Sequence, residues 1–172
     1  MLSTDHGDQL ASRRMRAAGD YDNGARKAAC HDGAWLTGVS HSGNRGLCTT
    51  AALPWTTGYE VVRDEHNVTT DWASGWTKLQ CAAGSYAAGY AVRGNDYSSL
   101  LCVPSGRTTL GAGRTVWFDR GDNRPAGNPG GDYATGHFKG QCAPGEALAG
   151  VAYTARITSP AKDPDAIYCR QI

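Results

Sequence analysis

Cysteines, carboxylates and indoles are the groups in this chain with chemistry to offer: six Cys, sixteen Asp and Glu, and five Trp. Cys30, Cys48, Cys81, Cys102, Cys142 and Cys169 are even in number, and no pair has the C-x-x-C spacing of zinc or redox motifs. They are read as disulfides, which belong to oxidising compartments outside the cytoplasm. Gly38-Val39-Ser40-His41-Ser42-Gly43 is not a nucleophile elbow, because the G-x-S-x-G spacing is absent. Phosphate loops, dinucleotide fingerprints and H-E-x-x-H are absent, and the five His are scattered. Two acids across a glycosidic bond would make a glycosidase. Asp119, Asp122 and Asp132 are the acids singled out in the third of three internal repeats. Their role is read as turn capping, with calcium coordination by their oxygens as the alternative and no other cofactor expected.

Stepping along the chain, three segments match without gaps: Asp20 to Cys30, Asp71 to Cys81 and Asp132 to Cys142 all obey D-Y/W-x-x-G-x-x-K-x-x-C. Each continues as C-x-x-G-x-x-x-x-G, through Gly33 and Gly38, Gly84 and Gly89, Gly145 and Gly150. Each closes on a second cysteine, in Leu47-Cys48, Leu101-Cys102 and Tyr168-Cys169. Upstream, Asp5-His6-Gly7-Asp8-Gln9 and Arg63-Asp64-Glu65-His66-Asn67 align more weakly with Asp119-Arg120-Gly121-Asp122-Asn123. The copies tile the chain as about 1–50, 51–105 and 106–172, one domain of three repeats. Six cysteines allow 15 pairings. With two in each copy, the simplest is internal: Cys30–Cys48, Cys81–Cys102 and Cys142–Cys169. In each copy the first Gly is expected to supply a positive φ and the second to permit a bulge or a close backbone approach. Tyr21, Trp72 and Tyr133 are expected to fill equivalent core pockets, and Asp20, Asp71 and Asp132 to bond backbone N–H groups of the preceding turn.

Short runs of Val, Thr, Tyr, Trp and Ala cut by 23 Gly read as strands and turns. Three equivalent units predict an all-β, pseudo-threefold β-prism, with a β-trefoil as the alternative. A net charge of +1 supplies no field to draw in nucleic acid or anionic lipid, and no stretch approaches a membrane span. The N-terminus lacks an apolar secretory segment, so Met1 is read as the edge of a trimmed domain. Arg120-Gly121-Asp122 spells an adhesion tripeptide, but His6-Gly7-Asp8 at the matching place makes it a repeated turn.

The aromatic side chains carry the binding expectation. Trp55 and Tyr59 sit on the Pro/Gly loop Leu53 to Tyr59, where rings can stack on sugar C–H faces. Trp76 aligns with Ala25 and His137, so the shared fold demands no indole there; Trp35 aligns with Tyr86 and Ala147. Trp76, Trp55, Tyr59, Trp35 and His137 are therefore the candidate ligand contacts.

At its cysteine-centred repeats, marked by Trp72, Cys81, Gly84, Gly89 and Cys102 and their counterparts, the chain resembles the vitelline membrane outer layer protein I family. The resemblance implies a β-prism of three repeats, with association in extracellular matrix layers and chito-oligosaccharide binding. Lys-Gly-Gln-Cys and Lys-Leu-Gln-Cys also look like repeat domains attached to secreted bacterial hydrolases. The expected function is a secreted, noncatalytic carbohydrate-binding module acting on a polysaccharide or oligosaccharide, accessory to a covalently linked hydrolase. The alternatives are a glycan-active enzyme using paired carboxylates and a structural or inhibitory extracellular protein.

Overall fold

The computed structural model describes residues 2–5, 20–31, 33–41, 45–50, 58–65, 68, 70–119, 131–155 and 165–172. They are strands and turns, with no α-helix among them. The strands are β1 (Leu2–Asp5), β2 (Arg26–Ala29), β3 (Ala34–Ser40), β4 (Gly46–Thr50), β5 (Glu60–Val62), β6 (Trp76–Gln80), β7 (Ser85–Arg93), β8 (Asp96–Pro104), β9 (Gly113–Trp117), β10 (Lys139–Gln141), β11 (Glu146–Ala155) and β12 (Ala166–Gln171). They form three four-stranded sheets, ordered β1-β4-β3-β10, β2-β7-β8-β5 and β6-β11-β12-β9. Every pairing is antiparallel.

Each copy supplies four strands in the same order, and its second strand leaves home. The strand running into the first cysteine joins the long strand of the next copy: β2 pairs β7, β6 pairs β11, and β10 returns to pair β3. The exchange closes on itself, so each sheet is completed by a neighbouring copy. Disulfides Cys30–Cys48, Cys81–Cys102 and Cys142–Cys169 form as the repeat implies, with Cα–Cα distances of 5.8, 5.6 and 5.6 Å. Because the first cysteine follows the donated strand, each bridge ties one sheet to the next. Side chains from all three sheets, including Leu36, Leu79, Tyr90, Leu100, Leu148 and Ile167, share one core with all six cysteines.

The two glycines of C-x-x-G-x-x-x-x-G do the separate jobs expected of them. Gly33, Gly84 and Gly145 have φ of 85°, 82° and 82°. Gly38, Gly89 and Gly150 follow a register shift in the long strand, and a Cβ there would lie 2.6–2.8 Å from a carbonyl oxygen of the donated strand. The residue skipped by each bulge accepts the first cysteine's N–H: Cys30 to Ala88 (2.8 Å), Cys81 to Ala149 (2.8 Å) and Cys142 to Thr37 (2.7 Å).

Three expectations are corrected. Asp20, Asp71 and Asp132 pair with the buried lysine of the motif instead of capping the preceding turn: Lys27 at 2.9 Å, Lys78 at 2.7 Å and Lys139 at 2.7 Å. Each ammonium also donates to a carbonyl of its own turn, that of Ala25 (2.6 Å), Trp76 (2.7 Å) or His137 (2.9 Å), which satisfies a cation that burial would otherwise penalise. Tyr21 and Tyr133 are buried, but Trp72 is only half-buried. The upstream alignment slides by two residues, because Glu60 and Arg114 lie opposite the closing cysteines Cys102 and Cys169. Glu65, not Arg63, thus occupies the place of Asp119. The Glu65 carboxylate accepts the Lys78 N–H at 2.7 Å, where the Asp119 carbonyl accepts the Lys139 N–H at 2.8 Å.

Candidate functional site

Residues two apart on a strand share a face. On that basis the register of the β6-β11-β12-β9 sheet divides its side chains cleanly. Leu79, Val151, Ile167 and Cys169 enter the core. On the other face stand Trp76 and Gln80 of β6, Gly150 and Ala152 of β11, Ala166, Tyr168 and Arg170 of β12, and Gly113, Thr115 and Trp117 of β9. Small residues leave a shallow floor on which rings lie. Trp72, from the turn before β6, rests over Gly150 and packs on Tyr168 at 5.1 Å, its indole N–H donating to Gln80 Oε1 at 3.1 Å. Trp76 lies against Ala73, Ala152 and Ala166, and its ring meets Trp117 edge-on at 5.9 Å. Trp117 is 47% exposed. Beneath Trp76, its carbonyl accepts from Lys78, which also donates to Asp71 at 2.7 Å and thereby lowers the pKa of that carboxyl.

The other sheets show what the fold itself requires at these places. Ala25 stands at the position of Trp76 and is buried. Arg63 stands at the position of Trp117, where it donates to the Tyr21 carbonyl. In the aromatic sheet the equivalent carbonyl, that of Trp72, is satisfied by Thr115 Oγ1 at 2.7 Å. Trp117 is thereby released from any backbone duty and faces outward. Sequence reasoning missed Trp117, because Gly113-Arg114-Thr115-Val116-Trp117 carries a polar residue on each face and its alternation does not tell which face is outward.

The other expected contacts do not gather around this pair. Trp35 is 1% exposed and packs edge-on against Tyr86 at 5.8 Å, in a cluster that also takes in Ala147. These three equivalents converge on one space and fill it with one large, one medium and one small side chain, so Trp35 is a core residue and not a surface platform. Tyr59 is 45% exposed beside β5, in another sheet. His137 precedes β10 in the third sheet, and Trp55 lies outside the described residues.

Among the acids considered for glycoside cleavage or calcium, Asp132 is taken by Lys139, Asp119 is exposed, and Asp122 lies outside the described residues. Among the described residues no three His, Cys, Asp or Glu side chains converge as metal ligands. The remaining buried carboxylates are engaged. Asp22 accepts from Arg93 (2.6 Å), Ser98 (2.6 Å) and Ser99 (2.9 Å). Burial works to raise its pKa, but these hydrogen bonds outweigh it and hold Asp22 low. Glu146 is likewise held low against burial by a bidentate pairing with Arg114, both contacts at 2.7 Å. The exposed ring of His41 meets buried Asp165 at 2.7 Å, and that hydrogen bond raises the His41 pKa.

No protein-family model matches the chain, and no match is found among curated proteins or solved structures. Three intrachain disulfides imply an oxidising surrounding. Among the described residues no helix is long and apolar enough to cross a membrane.

Proposed function

We propose that this chain is a secreted, noncatalytic carbohydrate-binding module that stacks sugar rings on Trp117 and Trp76, accessory to a linked polysaccharide hydrolase. The observation carrying this reading is the indole pair on the outer face of one sheet, at positions where another copy has a buried Ala and a backbone-capping Arg. An aromatic that packing does not require, exposed on a rigid strand, presents apolar surface and a fixed orientation to the C–H face of a sugar. Three separate four-stranded sheets in cyclic exchange support a β-prism over a trefoil for the scaffold. The paired-acid reading is weakened by the ion pair that occupies Asp132.

The test is a glycan array followed by affinity electrophoresis with the wild type and Trp117→Ala. Trp117→Ala is expected to weaken binding about tenfold, roughly 1.4 kcal/mol, with an unchanged thermal midpoint because the ring is half exposed. A wild type that binds no glycan, or a Trp117→Ala variant that binds as well as wild type, refutes the platform.

A further inference from the structure

The aromatic face holds one charge that the fold leaves unanswered. Arg170 is 8% exposed, yet among the described residues its guanidinium makes no hydrogen bond or ion pair. The buried lysines Lys27, Lys78 and Lys139 each have a carboxylate within 2.9 Å. Among the described residues Arg170 has only the ring of Tyr168, 5.4 Å from its central carbon. Its Nε is sealed without a partner among the described residues, and the residue as a whole keeps 8% of its surface open to solvent. Gln80 Nε2, the other orphan donor on this face, is 0% exposed and out of reach. A cation withdrawn from water without a counter-charge is unfavourable, and a bound anion relieves it. The planar guanidinium fork fits the paired oxygens of a carboxylate or sulfate.

Its position connects this cation to the indoles. On β12, Ala166 lies opposite Trp117 and Arg170 lies opposite Gly113, on the same face. Four residues of strand separate them by roughly 13 Å at about 3.3 Å per residue. Tyr168 and Trp72 fill the interval as a ring-lined floor. A saccharide chain stacked on Trp117 and lying along β12 brings a later sugar to the guanidinium.

We infer that the ligand of this face is an anionic glycan, whose uronate or sulfate group binds Arg170. This rests on the glycan reading above for the polymer, while the acid site itself can be tested with single sugars. Wild-type protein is titrated with sodium glucuronate, glucose 6-sulfate and glucose at fixed ionic strength, with the Arg170 Nε–H resonance followed by NMR. A saturable shift with either acid and none with glucose supports the site, and the responding acid tells carboxylate from sulfate. An equal response to glucose, or no response to any of the three, overturns it. In a second arm, polygalacturonate and its carboxyl-reduced product are compared on wild type, Arg170→Gln and Trp117→Ala. Wild type is expected to prefer the acidic polymer at least tenfold, Arg170→Gln to lose the preference while keeping its neutral-polymer affinity, and Trp117→Ala to weaken both. A preference that survives Arg170→Gln sinks the acid site alone; wild-type binding of both polymers by Trp117→Ala sinks the stacking platform alone.

Discussion

Replacing one glycine from each half of the C-x-x-G-x-x-x-x-G motif separates two physical causes that the motif runs together. At Gly33, φ is +85° and an added Cβ meets nothing within 4 Å, so Gly33→Ala carries only the left-handed backbone penalty, about 1–2 kcal/mol. At Gly89, whose φ is not positive, a Cβ would lie 2.8 Å from the Ala28 carbonyl oxygen and 3.0 Å from the Ala29 Cβ, where carbon atoms need about 3.5 Å. Both obstacles belong to β2, the strand donated by the preceding copy, and relief requires shifting it away from β7. Overpacking costs about 1–3 kcal/mol, and a weakened ladder bond about 1 kcal/mol more, giving roughly 3 kcal/mol for Gly89→Ala. Guanidinium unfolding with disulfides intact measures both. Asparagine sharpens the contrast: it tolerates positive φ, so Gly33→Asn should recover part of the loss, whereas Gly89→Asn should be worse than Gly89→Ala. If Gly89→Ala proves milder than Gly33→Ala, or Asn restores neither or both, the assignment of close approach to one glycine and backbone conformation to the other is wrong.

Two further outcomes follow from the buried charges. Asp132→Ala strips the carboxylate from Lys139, whose side chain is fully buried, and should cost about 3–5 kcal/mol in denaturant unfolding; adding Lys139→Met should recover most of it. A double variant no more stable than the single one would show that the lysine is not the source of the loss. The raised His41 pKa means that the Asp165 contact contributes in full below the unfolded value near 6.5 and is lost as pH rises through the folded value. His41→Gln should therefore flatten the decline in thermal midpoint above about pH 6. The difference should stay below about 1 kcal/mol because the ring is half exposed, and parallel profiles for the two proteins would exclude the contact as its origin.

The repeat made the disulfides and the glycine roles legible, because both are local consequences of residue types at fixed spacing. It also located Trp76, through the mismatch with Ala25 and His137. The strand exchange was not legible, since nothing in D-Y/W-x-x-G-x-x-K-x-x-C says which copy the strand after its glycine will pair with. The same blindness misassigned the aspartates. Asp20 lies seven residues before Lys27, and only the reversal of the turn between them brings carboxylate and ammonium together. Trp117 was not legible, because its outward direction depends on a register that pairs it with Ala166. Arg170 is one cation among seventeen Lys and Arg in the sequence, and only the fold shows that it is buried without a carboxylate among the described residues.

Internal triplication provides a control that most folds lack, because each copy shows what its counterparts need in order to fold. Difference between copies is not by itself a sign of function. Trp35, Tyr86 and Ala147 differ because they meet in one space, and their unequal sizes are a joint solution to a single packing problem. Trp76, Ala25 and His137 stand at the entrances of strands in three different sheets, so no shared space couples their choice. Trp117 and Arg63 differ in the same uncoupled way, and there the backbone carbonyl that Arg63 serves has been handed to Thr115. At Trp117 a hydrophobic side chain stands where another copy has a working polar one, remains 47% exposed and meets a second indole edge-on, an arrangement the other described copies fold without. The binding role proposed above would account for both substitutions at once, and on that proposal Trp117→Ala should weaken a ligand while leaving the fold unmoved.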